Sequence, residues 1–262
     1  MKAFVDGVAV LGPGLPGWAA SAAILAGDQP WMMAEAIAPP PAILPATERR
    51  RAGATVRFAL AAAAEATAAE PDRAALETVF ASGNGDGTTV VGILDAMHDP
   101  EGAISPTQFH NSVHNAAAGY WHIAVGSNAP SVSLGGHDGT FGAGLLSAVT
   151  GVAVRDSAML LCAYDTPLPP PLAEVRPTAF PFATAMVLRP APGERTRAML
   201  DLRYVAAPLA EEAGDDALDA LARGNPAARG LPLLRALAAR REAVVRLKLT
   251  EQSHLEARVA PC

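Results

Sequence analysis

Only two cysteines occur in the 262 residues, Cys162 inside the apolar run MLLCAY and Cys262 at the last position. Two thiols so placed build no disulfide framework, which suits a reducing compartment, and no pairing is expected. Aromatic residues are scarce at 5%. Abundant Ala, Gly and Val must therefore fill tightly packed buried helices and strands, or a wide subunit interface. A clustered Lys/Arg face is also missing. The net charge is −6, and the short basic run Glu48-Arg49-Arg50-Arg51 reads as an exposed helix start. This balance argues against nucleic acid or an anionic membrane as the principal partner. No apolar run spans a bilayer without interruption, and Asp6 breaks what would have to be the apolar part of a signal peptide in MKAFVDGVAV. A cytoplasmic protein without membrane insertion is expected.

What is present is hydrophobic, half of the chain, enough for one large α/β domain or two small ones. Residues 3–11 read as a first strand and Trp18 to Ala26 as a helix. A Pro-rich connector, Pro39 to Pro45, precedes an Ala-rich helix over 47–69. Residues 73–81 read as a further helix and strand, SGNGDGTT as a loop, Pro106 to about Ala118 as a helix and His122 to Val125 as a short strand. Ala158 to Ala163 is a continuous apolar strand, PLPPPL a rigid extended linker and Thr184 to Leu188 another strand. This alternation predicts a largely parallel sheet with helices on its faces. After about residue 189 the pattern changes: a strand over Ala198 to Tyr204, helices over 209–222 and 229–240, then two strands joined near Glu251-Gln252-Ser253. Residues 1–190 are expected to form the main α/β unit and 191–262 a short α+β portion.

Between them stands SVSLGGHDGTFGAGLLSAV, residues 131–149, a strand, a two-glycine hinge and a small-residue helix with His137 and Asp138 at the crown. Such an elbow is how a strand-to-helix turn presents a nucleophile, but G-x-S-x-G would require Ser where His137 stands. A carboxylate at a helix start is electrostatically comfortable, and Asp138 also suits an ordinary cap. Other motifs have plainer readings. Gly12, Gly14 and Gly17 spell G-x-G-x-x-G, yet Pro13 and Pro16 remove amides that a pyrophosphate would need, so a structural turn is the better reading. SGNGDGTT lacks the Lys-Ser/Thr of a P-loop. His110 and His114 have i, i+4 spacing but no third ligand, so no metal is predicted. Cys162 reads as an inert core residue.

The stretch ISPTQFHNSVHNAAAGYWHIAVGSNAPSVSLGGHD, residues 104–138, resembles the β-ketoacyl synthases, condensing enzymes of the thiolase fold. Ser105-Pro106, Asn115, Gly119, Gly126, Pro130-Ser131 and Ser133 fall in step with that family's motif without a gap. The nucleophilic Cys position then lands on Asp138, and a one-residue slip puts it on His137. The resemblance runs from VAVLGPGLPGW to ATAMVLRP, roughly the family's N-terminal half, and implies a thiolase-like layered α/β fold with a reduced C-terminal portion. A carboxylate is a poor substitute for the thiolate that holds the acyl chain. The family's catalytic histidines have no counterpart, since His254 in S-H-L-E-A-R does not match their motifs.

A catalytically empty copy of this half resembles the chain-length factors, which pair with an active ketosynthase, as in clusters making aryl polyene pigments. The resemblance thus implies a heterodimer with a ketosynthase, an acyl carrier protein as further partner, and no cofactor. It places Ser131, Ser133 and Leu134 on the pairing strand, Gly135, Gly136 and Gly139 in the elbow, and Gln108, Phe109 and Val113 on a tunnel-facing helix over 105–118. Two alternatives stay open: an unconventional condensing enzyme or decarboxylase using Asp138 or His137, and a homodimeric carrier-docking module.

Overall fold

The computed structural model describes residues 1–209 and 216–262. The chain opens with β1 (Lys2–Leu11), α1 (Trp18–Ala26), α2 (Ala46–Arg51), α3 (Ala54–Ala66) and β2 (Glu77–Ala81). Then come α4 (Gly87–His98), α5 (Pro106–Asn111), α6 (Ala116–Val125), β3 (Ser131–Leu134), α7 (Thr140–Arg155) and β4 (Met159–Asp165). After α8 (Leu172–Val175) follow β5 (Phe182–Arg189), β6 (Ala198–Val205), α9 (Ala217–Arg223), α10 (Leu231–Ala239), β7 (Ala243–Thr250) and β8 (Ser253–Pro261).

All eight strands join one sheet in the order β3-β2-β4-β5-β1-β6-β8-β7. Only β3, β2 and β4 run parallel, and every other neighbouring pair is antiparallel. The expectation of a largely parallel sheet is corrected here. Alternating and continuously apolar runs disclose a strand but not its direction, and β5 returns beside β4 without a helical crossover in the parallel sense. The strands after residue 190 continue the same sheet rather than standing apart from it.

One face of the sheet packs Phe80, Leu160 and Val187 against α3 and α6, with Phe58, Leu60 and Trp121 buried there. The other face buries α7 and α10, and the same core takes in Val10, Leu161, Leu145, Leu234 and, from the far strands, Leu255 and Val259. The sheet therefore curls round α7. At one side Gly144 of α7 lies so close to Ala81 and Leu161 that a Cβ would stand 2.8 and 3.0 Å from them. At the other side a Cβ on Gly142 would lie 2.4 Å from the Lys248 carbonyl oxygen of β7. Small residues in this helix are thus required by close approach on both sides.

Asp6, which interrupts the apolar pattern of β1, is buried at a register shift between Val5 and Val8. Its carboxylate accepts from Arg189 Nε at 2.6 Å and from Thr196 Oγ1 at 2.9 Å. A buried charge is tolerable when both oxygens are met in this way.

Several local expectations change. The Ala-rich helix divides into α2 and α3, because Ala52 and Gly53 are extended. The helix over 106–118 breaks after Asn111. His122 to Val125 is the last turn of α6 rather than a strand, a four-residue apolar run that periodicity alone cannot assign. The loop expected at SGNGDGTT gives way at Gly87 to α4, which runs to His98 and whose N-terminus Asp86 caps by accepting from Thr89 N at 3.0 Å. The segment after β4 is not wholly extended, since it turns into α8. Residues 73–76 form no helix. The helix over 209–222 is described only from Ala217, and its residues 210–215 lie outside the described residues. Among the described residues, no helix is long and apolar enough to cross a membrane.

Candidate functional site

The elbow forms where the sequence places it: β3 ends at Leu134, Gly135 and Gly136 turn the chain, and His137–Gly139 make one 3₁₀ turn before α7. His137 has φ +52°, the left-handed region that a non-glycine residue adopts only where its surroundings impose it. The imposing group is Thr140. Its fully buried hydroxyl donates to His137 O at 2.6 Å and accepts from Gly136 N at 3.0 Å, stapling the bend across the strained residue. Gly139 is required for a different reason: a Cβ there would stand 2.0 Å from the Leu249 carbonyl oxygen of β7. Gly135 is likewise pressed against the Ser82 carbonyl oxygen, 2.8 Å from an added Cβ.

Asp138 does not stand free at the crown. Arg176, just past α8, donates from Nη1 to Asp138 Oδ1 at 2.8 Å, and Arg229 lies with Nη2 3.3 Å from Oδ2. His137 Nδ1 is 3.7 Å from Oδ1 and 3.4 Å from Arg176 Nη1. Partial burial pushes the Asp138 pKa up, but the Arg176 hydrogen bond and the charges of Arg229, Arg176 and His137 outweigh it. The carboxyl is held below its ordinary range.

Under the elbow lies a second carboxylate, Asp165, at the end of β4 and fully buried. It accepts from Ser82 Oγ at 2.8 Å, Gly83 N at 3.1 Å and Asn84 N at 2.8 Å. Burial nevertheless pushes its pKa up to about 6, against those hydrogen bonds and the pull of Arg176. Asp165 thereby fixes the 82–86 loop, on which His114 is anchored by a 3.0 Å contact from Nε2 to Ser82 O.

The other sequence candidates divide into two groups. Ser131 and Ser133 lie on β3, an edge strand whose outer side no described strand covers. The Ser131 hydroxyl accepts from Thr78 Oγ1 at 2.7 Å, and Leu134 packs partly against the core. Gln108 completes a capping box for α5, its Oε1 accepting from Ser105 N at 3.3 Å. Phe109 and Val113 are exposed, Phe109 at 66%. Val113 and His114 border a cleft with Thr55, Asp86, Asn111 and Tyr164 that has room for about one water molecule.

His110 and His114 do not share a helix, because α5 ends at Asn111. His110 packs edge-on to Tyr120 instead. No group of three or more metal-ligating side chains occurs among the described residues. At the G-x-G-x-x-G turn, Gly12 and Leu15 exchange backbone hydrogen bonds, and the N-terminus of α1 already faces an anion, since Trp18 N donates to Glu65 Oε1 at 2.6 Å. That turn is structural. Cys162 is buried among apolar groups, which pushes its thiol pKa up.

Sequence reasoning missed Arg176, Arg229, Thr140 and Asp165. Arg176 stands beside Glu174 in a Pro-rich strap, and nothing there announces a partner across the fold.

Residues 24–253 match a family model described as the β-ketoacyl synthase N-terminal domain. No curated protein sequence matches the chain. A chain of the ketosynthase (ApeO) in complex with its chain length factor (ApeC) from Xenorhabdus doucetiae shares 17% identity over 98% of this chain and 99% of its own, with TM-score 0.74. A chain of AntDE:AntF, a type II PKS acyl-carrier protein in complex with its ketosynthase, shares 12% over 98% of each chain, with TM-score 0.73. A β-ketoacyl synthase from Burkholderia phymatum STM815 is longer: 91% of this chain matches 70% of that one, at 12% identity and TM-score 0.60. At such identities the likeness establishes a thiolase-like, ketosynthase-type fold.

Proposed function

The chain belongs to the β-ketoacyl synthase family through its N-terminal domain, and from that premise we propose that it is a non-catalytic, chain-length-factor-like subunit. It would pair with an active ketosynthase in the cytoplasm and shape that partner's acyl tunnel during polyene or polyketide synthesis. The observation that carries this reading is Asp138, a carboxylate clasped by two guanidiniums where an acyl-enzyme needs a free nucleophile. An ionised carboxylate so held is a weak nucleophile, and its acyl anhydride would hydrolyse readily.

The chain matches end to end with a similarly short chain of the ApeO–ApeC complex, whereas the Burkholderia β-ketoacyl synthase extends well beyond it. The AntDE:AntF structure holds an acyl-carrier protein with its ketosynthase, which supports an acyl carrier protein as a further partner.

A surface suited to pairing is present. Helix α4 carries Val90, Val91, Ile93, Leu94 and Met97, yet of its residues only Gly87 is buried. Val90, Val91 and Ile93 are half-buried and Leu94 and Met97 exposed, and a helix with so apolar a face and so little cover suits a partner. With exposed Phe109 on α5, Val113 beyond it and Val132 on the open edge of β3, this helix supports a heterodimer through β3 and the α4–α5 face. Gln108, Phe109 and Val113 would form the wall at which a growing chain stops.

Co-expression with a ketosynthase from the same genome tests the reading. A stable complex is expected, and failure to co-purify overturns it. In such a complex Phe109→Ala should lengthen the products, and unchanged lengths would reject that gate. Malonyl-carrier turnover by the chain alone, abolished in Asp138→Ala, would transfer the assignment to an unconventional condensing enzyme or decarboxylase.

A further inference from the structure

We propose that Arg176 and Arg229 form a carboxylate-binding seat whose resident ligand is the chain's own Asp138. The seat joins three segments distant in sequence: the elbow turn His137–Gly139, the strap that follows β4 and the 3₁₀ turn Ala227–Gly230. Arg176 meets Asp138 Oδ1 and Arg229 approaches Oδ2, so each carboxylate oxygen has its own guanidinium. All three side chains are mostly buried, exposed by 20%, 25% and 28% for Arg176, Arg229 and Asp138. In such surroundings charge-assisted hydrogen bonds are stronger than on an open surface.

The fit is incomplete in an informative way. Arg176 uses only Nη1 on Asp138, while its Nη2 is buried with no hydrogen-bond partner among the described residues. A guanidinium prefers to meet a carboxylate with two parallel N–H groups. The short tether from the backbone keeps Asp138 from completing that fork. A free monocarboxylate, not so constrained, can meet both nitrogens.

The seat also explains why the crown tolerates a strained His137. Asp138 anchors the turn to the strap, and the tethered carboxylate is present at an effective concentration that no dissolved acid matches. The native protein therefore binds no external carboxylate at this place. Removal of the Asp138 side chain leaves two arginines and a vacant seat for a small monocarboxylate such as acetate. This inference is independent of any partner subunit.

Thermal unfolding of the purified full chain tests it. Asp138→Ala should lower Tm by about 5 °C or more, in line with loss of a partly buried ion pair in a chain of this size. Sodium acetate should restore that loss saturably. Sodium chloride at equal ionic strength should not. Native protein should show no acetate-specific gain, and Asp138→Ala/Arg176→Ala should lose the response. An equal response to acetate and chloride in Asp138→Ala overturns the proposal, as does an acetate gain in the native protein. Should Asp138→Ala not accumulate in folded form, a double-mutant cycle of Asp138→Asn and Arg229→Gln by urea unfolding decides. Coupled midpoint shifts are expected, and additive ones overturn the seat.

Discussion

The elbow and the α4–α5 face lie on neighbouring stretches of the chain and are built on opposite principles. At the elbow the turn is tightly held: Thr140 staples the bend, Gly139 and Gly135 admit backbone carbonyls at contact distance, and two arginines hold Asp138. Along α4 and α5 cover is partial: Val90, Val91 and Ile93 are half-buried, while Met97 and Phe109 are 68% and 66% exposed. The difference separates a turn fixed by its own contacts from a surface that the described chain leaves partly open. In the proposed reading only the form of the elbow is kept, and the α4–α5 face is where a partner would dock.

The comparison breaks most readily at Gly139. Any side chain there collides with the Leu249 carbonyl, backbone that cannot swing away. Gly139→Ala should therefore cost about 3 kcal/mol or more and leave little folded protein. Near-native unfolding curves would show that β7 yields more easily than this packing implies.

At the other region the signs reverse. Leu94→Asp, Met97→Asp and Phe109→Asp together should leave the isolated chain as stable as before, within about 0.5 kcal/mol, since exposed positions carry little folding energy. The same triple variant should weaken binding to the ketosynthase partner about 100-fold or more, as loss of apolar anchors does at an interface. Unchanged binding in a titration would remove α4–α5 from the pairing surface.

The smallest expected effect sharpens the elbow side. Asp165 has its folded-state pKa raised to about 6. The folded protein thus binds its proton more tightly than the unfolded chain, and stability falls as pH rises from about 4 through 6. Relative to Asp165→Asn, the native chain should lose about 2 kcal/mol across that window, read by urea unfolding at several pH values. A constant difference would mean that the Ser82, Gly83 and Asn84 donors hold the carboxylate ionised throughout.

Local chemistry was legible in the sequence where it decides the outcome. Trp18–Ala26 and the strand, hinge and helix of the elbow lie where their apolar spacing and glycines place them. Strand direction was not, because side-chain alternation is the same for parallel and antiparallel neighbours. Nor was α4, whose Thr88, Thr89, Val90 and Val91 favour a strand locally, while the Asp86 cap and tertiary placement make it a helix. Asp138 stood out as a residue out of place. Its partners did not, since Arg176 and Arg229 are 38 and 91 positions away along the chain and nothing in their neighbours announces an ion pair.

The curl of the sheet has one further consequence. Because β7 lies against the first turn of α7 from the side opposite β2 and β4, the last strands act as a keel for the central helix. Splitting the polypeptide near residue 190 would not release a smaller stable module: it would bare the flank of α7 that Gly230, Lys248 and Leu249 now help enclose, and the helix that follows the elbow would lose its footing.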